Sequence, residues 1–342
     1  MTGGCGYIGA HTCVELVHAG YHPVVFDNLS SGSKVALARV QQITGADIPF
    51  IEGDIRNKDD VRKVFSEHHI AAVLHFAGLK SPSESIRQPL RYFDNNVLGT
   101  CSLLDVMSEC KVKKIVFSST AAVYGEPEQV PVTESSSADR ANHPYGRSKR
   151  MVEQVVQDLQ YADPEWCSVI LRYFNPVGAH CSGLIGEDPL GAPNNLMPFI
   201  AQVAVGRRAH LSVYGSDYQT PDGTGVRDYI HVVDLAKGHV AALDYVYSGR
   251  ELLIANLGTG KGHSVLEVVR EFEQMTGKTI PLKIIGRREG DVACSFASVG
   301  LANEKLKWCA KSSLSQMCAD AWKWQTQNPQ GYGRPRNAFT GE

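Results

Sequence analysis

The chain is predicted to be an α/β protein built on a doubly wound parallel sheet. Three observations carry the prediction. Short apolar runs alternate with stretches of helical period over the first half of its 342 residues. A glycine loop, Gly4-Cys5-Gly6-Tyr7-Ile8-Gly9, opens the first helical stretch, and Gly3 adds an overlapping pattern. The apolar runs end at Asp27, Asp54, Gly78 and Thr120, and ligands of such sheets bind at the carboxyl ends of strands.

The glycine loop leads into a helix over residues 10–19, with Gly20 as a C-terminal cap, and then into the strand Val24-Val25-Phe26, which ends at Asp27. Glycines allow the tight turn and let the backbone approach a pyrophosphate, which then rests on the helix N-terminus. Asp27, about 20 residues further on, is placed to accept hydrogen bonds from an adenosine ribose. The pair Asp27-Asn28, with no arginine nearby, favours NAD over NADP, because a carboxylate repels a 2′-phosphate. This is a Rossmann-type unit with one part missing. Only Met1 and Thr2 precede Gly3, so the first strand is absent or reduced to a stub. A hole there would leave ladder groups of both neighbouring strands unpaired.

The alternation continues with a strand at residues 50–55, a helix at 59–68, a buried strand at 71–78, a long amphipathic pattern at 90–109 and a strand at 114–120. A helix is expected over residues 145–159 and a sixth strand over 168–176. The region 176–195 is irregular and rich in Gly, Pro and Asn, and loops this long usually cover a site. Further helices are expected at 197–205, 235–246 and 265–275. The tail after Gly331, with Pro335 and charges, is expected to fray. The resulting division is an NAD-binding domain over residues 1–175 and a smaller α/β substrate domain over 176–342, with some segments returning to the first.

Composition narrows the function classes. The chain is 43% hydrophobic and 20% charged, as globular proteins are, and its net charge of −2 with no dense basic block argues against nucleic acid as a partner. No apolar run approaches the ~20 residues of a membrane span, and the N-terminus does not read as a signal peptide. The nine cysteines form no C-x-x-C pair and the histidines show no ligand spacing, so free thiols, a cytoplasmic location and no metal are expected.

Tyr145-Gly146-Arg147-Ser148-Lys149 places a phenol and an amine four residues apart, on one face of the expected helix. An ammonium beside a phenol favours the phenolate. Such a pair is a candidate base, although the pattern also arises by chance.

Several stretches together resemble the extended short-chain dehydrogenase/reductase family, and within it the bacterial nucleotide-sugar 4-epimerases. They are His75-Phe76-Ala77-Gly78-Leu79-Lys80, the Tyr145–Lys149 stretch, Leu171-Arg172-Tyr173-Phe174-Asn175-Pro176, Asn194-Asn195-Leu196-Met197-Pro198 and Gly223-Thr224-Gly225-Val226-Arg227-Asp228-Tyr229. The resemblance runs over essentially the whole chain. It implies an isomerase of galactose metabolism with tightly bound NAD, which epimerises UDP-galactose and UDP-glucose at C4 through a 4-keto sugar, with no net redox change. Tyr145 would remove the proton from the 4-hydroxyl, with Lys149 tuning it and Thr120 hydrogen-bonding the same hydroxyl. A phenol with an ordinary pKa of roughly 10 must lose about three units to act at neutral pH.

By the same resemblance, Gly3, Gly6, Tyr7, Ile8, Gly9, Asp27, Asn28, Asp54, Ile55, Phe76, Ala77, Gly78, Lys80, Asn95 and Phe174 would line the cofactor, together with Thr120, Tyr145 and Lys149. Asn175, Asn195, Leu196, Tyr214, Arg227, Arg288 and Asp291 would hold the UDP-sugar, the guanidinium groups suiting a pyrophosphate. An ion pair within its own charged run is the alternative for Arg288. Two residues of the ribose loop, Ser31 and Gly32, depart from the family pattern. So does Ser295, which stands where epimerases restricted to glucose and galactose carry a bulky tyrosine. The small side chain implies room for an N-acetyl group, hence activity on UDP-GlcNAc and UDP-GalNAc, unless Cys294 or Phe296 refills the gap. In the family, helices matching 90–109 and 145–160 form a homodimer interface, so a homodimer is expected. Thr120-Ala121-Ala122 lacks the acid–base carboxylates of a 4,6-dehydratase, a charged sugar-acid pocket for a decarboxylase has no candidate, and a non-catalytic NAD sensor usually lacks the Tyr/Lys pair.

Overall fold

The computed structural model describes residues 1–249, 251–288 and 290–333. The tail from residue 334, Pro335 included, lies outside the described residues. The first half runs α1 (Tyr7–His18), β1 (Val25–Asp27), α2 (Lys34–Thr44), β2 (Phe50–Glu52), α3 (Lys58–Glu67), β3 (Val73–His75), α4 (Pro82–Arg87), α5 (Pro89–Phe93), a π-helical turn (Asp94–Leu98), α6 (Gly99–Glu109), β4 (Lys114–Thr120), a 3-10 turn (Ala121–Tyr124), α7 (Pro144–Ala162) and β5 (Cys167–Tyr173). The second runs β6 (Asn175–Val177), α8 (Leu196–Ala204), β7 (Leu211–Tyr214), β8 (Val226–Arg227), β9 (Tyr229–His231), α9 (Val232–Tyr247), β10 (Leu253–Leu257), β11 (His263–Ser264), α10 (Val265–Thr276), β12 (Leu282–Ile285), β13 (Cys294–Ser295), α11 (Gly300–Leu306) and α12 (Leu314–Gln327).

Helix boundaries follow local chemistry. Ser33 caps α2, which ends at Gly45 with φ +69°. Ser264 and Glu267 form a capping box on α10, which ends at Gly277 with φ +65°.

All pairings in the main sheet are parallel: β2 with β1, β3 with β4, β4 with β5, and β5 with the returning β10. Alternate residues of β4 and β5 feed opposite cores. Val116, Val169 and Leu171 face Leu235, Leu243 and Val246 of α9. Ile115, Phe117 and Ile170 face Leu103 and Met107 of α6 and Val152 and Val156 of α7. Apolar side chains on both faces are what a parallel sheet covered by helices requires. A separate core, with Met197, Ile200, Val213, Tyr229, Val268, Phe272 and Met317, joins α8, β7, β9, α10 and α12.

The expected hole in the sheet is closed by a stub. Thr2 bridges Phe26 on one side and His75 on the other. Phe26 N donates to Met1 O (2.9 Å) and Gly3 N to Phe26 O (2.8 Å), while Thr2 N donates to Leu74 O and Phe76 N to Thr2 O, both at 3.1 Å. Met1, Thr2 and Gly3 thus satisfy ladder groups of both β1 and β3 where the glycine loop begins.

Three other expectations are corrected. Residues 90–109 do not form one regular helix, because the π-turn inserts an extra residue between α5 and α6. The strand expected over 168–176 breaks at Phe174, whose N–H turns to Leu257 O, and Asn175 starts β6 against β9. Helix α9 starts at Val232, three residues early, because His231 Nδ1 accepts the Val233 N–H and caps it.

Candidate active site

A cleft of about 490 Å³ runs from the glycine loop, over the carboxyl ends of β1, β3, β4 and β5, to Arg227 and Ser295 on β8 and β13. At its first end the residues fit a dinucleotide. Gly3 has φ +68°, and a Cβ there would lie 2.7 Å from Ala77 N; a Cβ on Gly9 would lie 2.4 Å from Gly3 O. Gly6 caps α1 with no side chain over the helix N-terminus, so the first-turn amides are open to an anion. Asp27 accepts the Cys5 N–H (2.9 Å) and the Leu29 N–H (2.8 Å), which ties the glycine loop to the ribose loop. Gly32 is required where it stands, since a Cβ would lie 2.9 Å from both Asp27 carboxylate oxygens.

At the centre, Thr120 ends β4 and Tyr145 sits in the first turn of α7, both lining the cleft. Burial pushes the Tyr145 phenol above its ordinary pKa, and the Thr120 hydroxyl, as hydrogen-bond partner, pulls it back in part. Lys149 lies one turn further along, buried, with Nζ donating to Ser118 O at 2.9 Å and resting 4.8 Å from the centre of the Phe117 ring. Burial lowers its pKa to about 8 against the opposing pull of Glu153, so the ammonium still dominates at neutral pH. Gly78 gives this amine its space, since a Cβ there would lie 3.2 Å from Nζ.

Gly3, Gly6, Tyr7, Ile8, Gly9, Asp27, Asn28, Ile55, Phe76, Ala77, Gly78, Lys80, Asn95 and Phe174 all line the cleft with these three, as do Asn175, Asn195, Arg227, Asp291 and Ser295. Four expected residues do not. Asp54 is turned into an ion pair with Arg56 (2.9 Å) and also accepts from Asn28 Nδ2 (2.9 Å), which holds its carboxyl near pKa 2. Leu196 begins α8 outside the lining. The Arg288 guanidinium stacks on the Tyr214 ring (4.6 Å) and pairs with Asp291 (3.3 Å), so these two side chains engage each other at the rim.

Sequence reasoning missed the residues that hold this arrangement together. Asn96, buried in the π-turn, accepts the Leu79 N–H (2.8 Å) and donates to Leu79 O and Ser148 Oγ, both at 3.0 Å. It thereby fixes the Gly78–Lys80 loop to α7. Thr100 Oγ1 donates to Asn96 O (2.6 Å), so it must accept from His75 Nε2 (2.8 Å), and His75 Nδ1 then accepts from Thr2 Oγ1 (2.7 Å). This network requires a neutral His75, and burial lowers its pKa to about 3. The only signal in the sequence was the His75–Lys80 stretch itself.

Among the described residues no group of three His, Cys, Asp or Glu side chains could hold a metal ion, and no helix is long and apolar enough to cross a membrane. Comparison with known proteins agrees with the site. The sequence model of the NAD dependent epimerase/dehydratase family matches residues 1–258. The chain is 55% identical over 332 residues to the UDP-glucose 4-epimerase of Bacillus subtilis (strain 168), covering 97% of this chain and 98% of that one. It is 51% identical over 339 residues to the human UDP-glucose 4-epimerase, covering 97% of each. The crystal structure of UDP-glucose 4-epimerase from Bifidobacterium longum in complex with NAD+ and UDP superposes with a TM-score of 0.93 at 50% identity, covering 96% of this chain and 98% of that one. With its glycine loop, its strand-end Thr120 and the Tyr145/Lys149 pair in one cleft, the chain belongs to the NAD dependent epimerase/dehydratase family.

Proposed function

We infer that the chain is a UDP-glucose 4-epimerase, an NAD-dependent isomerase that interconverts UDP-glucose and UDP-galactose at C4 through a 4-keto sugar. The observation that carries the reading is one continuous cleft with a dinucleotide cradle at one end, Arg227 and Asn195 at the other, and Thr120, Tyr145 and Lys149 between them. NAD, when bound, takes the C4 hydride and returns it. Tyr145 accepts the proton of the 4-hydroxyl and later gives it back, so its pKa must pass through neutrality and not merely be low. Lys149 supplies a fixed positive charge to the same region, and Thr120 supplies a hydroxyl at the strand end. Arg227 suits the pyrophosphate. On this reading residues 1–175, with α9 and β10, form the NAD-binding domain, and most of the remainder holds the UDP-sugar.

Ala121 and Ala122 line the cleft where an eliminating enzyme needs carboxylates, which disfavours a dehydratase. Two finer features belong to the proposal. The first is breadth of substrate. Ser295 lines the cleft and Cys294 and Phe296 do not, and the Phe296 ring lies towards Gly262. A small side chain in the lining, with neither neighbour beside it there, supports turnover of UDP-GlcNAc and UDP-GalNAc. The second is assembly. Leu90 (82% exposed) on α5, Leu98 (60%) at the end of the π-turn and Met151 (48%) on α7 offer an apolar face for a homodimer. Free thiols at all nine cysteines support a cytoplasmic location.

The test is incubation of purified protein, without added NAD, with UDP-galactose, alongside Tyr145→Phe. UDP-glucose should form with the parent and not with the variant, which should still bind the UDP-sugar. Full turnover by Tyr145→Phe would remove Tyr145 as the base.

A further inference from the structure

His143 is buried, 7% exposed, and lies in the cleft wall immediately before the helix that carries Tyr145 and Lys149. It is the N-cap of α7, with φ −140° and ψ 156°, and Pro144 follows at the first helical position. Pro144 has no N–H, so the first turn offers the amides of Tyr145 and Gly146. His143 Nδ1 accepts the Gly146 N–H at 3.1 Å, in the place a Ser, Thr or Asp oxygen usually takes. The acceptor is therefore a titratable nitrogen. Nδ1 can accept only while unprotonated, so the proton of the neutral ring sits on Nε2.

The same ring does a second thing. It lies parallel to the Tyr145 ring, with centroids 5.8 Å apart and an interplanar angle of 9°. A parallel stack limits how far the phenol ring can turn. The cap itself is rigidly seated. Asn142 Nδ2 donates to Gly290 O (3.0 Å), Arg147 Nε donates to Ala141 O (3.1 Å), and a Cβ on Gly146 would lie 2.8 Å from Ala122 O. The first turn of α7 is thus pressed against the 3-10 turn that follows Thr120, and the His143 ring closes the gap between cap and phenol. The charged groups facing His143 are Arg147 on its own helix and Asp291 on the loop before β13. Burial, which dominates, and Arg147 disfavour its protonation, while a backbone hydrogen bond and Asp291 favour it.

We propose that His143 is a positioning residue for Tyr145: one neutral imidazole both caps the helix that carries the phenol and stacks on the phenol, so the base is held in place only while that ring is uncharged. The proposal rests on Tyr145 being the proton acceptor. Protonating the ring removes the acceptor of the Gly146 N–H and points an N–H donor at it instead. Acid would therefore loosen the first turn of α7 before the fold as a whole is lost.

Two substitutions separate the two tasks. His143→Ser keeps a capping oxygen and removes the ring; His143→Phe keeps a ring and removes the cap. Each is compared with the parent and with Tyr145→Phe for kcat and KM on UDP-galactose from pH 5.5 to 9, with melting temperature as the fold control. His143→Ser should melt close to the parent yet lose about tenfold or more in kcat with little change in KM, since small displacements of a reacting group are costly. The acid limb of its kcat profile should move to lower pH, because the cap no longer titrates. His143→Phe should also lose kcat and should melt lower. His143→Asn, another good capping residue, replaces His143→Ser if the latter does not fold. Parental kcat and an unshifted acid limb in a folded Ser or Asn variant would overturn the proposal, as would a rise in KM at constant kcat, which would mark a substrate contact instead. If Tyr145→Phe were itself active, the reading of Tyr145 would fail, and that outcome is distinct from a normal His143→Ser beside an inactive Tyr145→Phe.

Discussion

Arg172→Met is expected to destabilise the protein far more than Glu153→Gln and Arg172→Met do together. Glu153, on α7 one turn after Lys149, is fully buried, and Arg172 on β5 is 3% exposed. Arg172 Nε and Nη2 donate to the two Glu153 oxygens at 2.9 and 2.6 Å, and Ser119 Oγ donates to Oε1 at 2.5 Å. Arg172 also donates to Tyr124 OH (3.1 Å) and stacks on its ring (5.0 Å). Removing the guanidinium leaves a carboxylate with no water to replace it; Arg150 stands 3.6 Å away but is partly exposed. Loss of one partner of a buried pair costs about 3–5 kcal/mol, whereas loss of both charges from a well-packed site is often close to neutral. A Gln/Met double variant keeps roughly the volume, so it should recover to within about 2 kcal/mol of the parent. For a chain of this size each kcal/mol moves the melting temperature by about 2–4 °C. The single variants should therefore melt about 10 °C lower and the double only a few degrees lower.

The assay is urea denaturation and thermal melting of all four proteins under one condition. A double variant as unstable as the sum of its singles would refute the reasoning, because the cost would then be packing and not charge. The same carboxylate has a functional reading. Glu153 is the group that raises the Lys149 pKa against the effect of burial. Glu153→Gln, assayed where it is folded, should deprotonate Lys149 at lower pH and shift the alkaline limb of kcat downwards. An alkaline limb that stays in place would show that Lys149 does not set it.

Three other outcomes are expected. Ser295→Tyr should abolish turnover of UDP-GlcNAc and keep that of UDP-galactose; absence of N-acetyl turnover in the parent would refute the reading of that space. Burial lowers His11 and His75 to about 3 and His239 to about 4. The unfolded chain binds more protons than the folded one below about pH 6.5, so stability is full above that value and falls as pH drops towards 3. At pH 5 each histidine contributes a loss of about 2 kcal/mol, read as a lower urea midpoint than at pH 7.5; a flat midpoint would refute it. Adding about five apolar residues before Met1 lengthens the stub to an ordinary strand and should raise the melting temperature, and equal melting temperatures would count against it.

The sheet was legible where its signals are local. The glycines, the helix after them and Asp27 lie within one short stretch, and the apolar runs of β4 and β5 are long enough to show burial on both faces. Its closure was not legible, because Met1 and Thr2 are too few to carry a period. Their role is set by Phe26 and His75, which are distant in sequence. The π-turn was invisible for a different reason: one inserted residue leaves the apolar pattern of 90–109 nearly unchanged, yet it alters which side chains face inward and puts Asn96 against Ser148. Partners such as Thr2 and His75, or Asn96 and Ser148, cannot be paired from spacing, since each sits on a different element.

The same division explains what could be read of the catalytic pair. The four-residue spacing of Tyr145 and Lys149 places both on one face of α7, and spacing is a property of the sequence. The strength of the base is not. The burial that brings the phenol into the cleft raises its pKa, and within the protein alone the Thr120 hydroxyl only partly offsets that rise. Lys149 is itself buried, and one of its three N–H groups is held by Ser118 O, which anchors the ammonium to β4. An ammonium anchored to a strand carbonyl acts at fixed distance, so its field on Tyr145 depends on where β4 and α7 meet. That meeting is set by Glu153, Ser119 and Arg172 on one side and by the His143 cap on the other. The chemistry of the pair is therefore written in five adjacent positions, and its tuning in residues that become neighbours only when the sheet is complete.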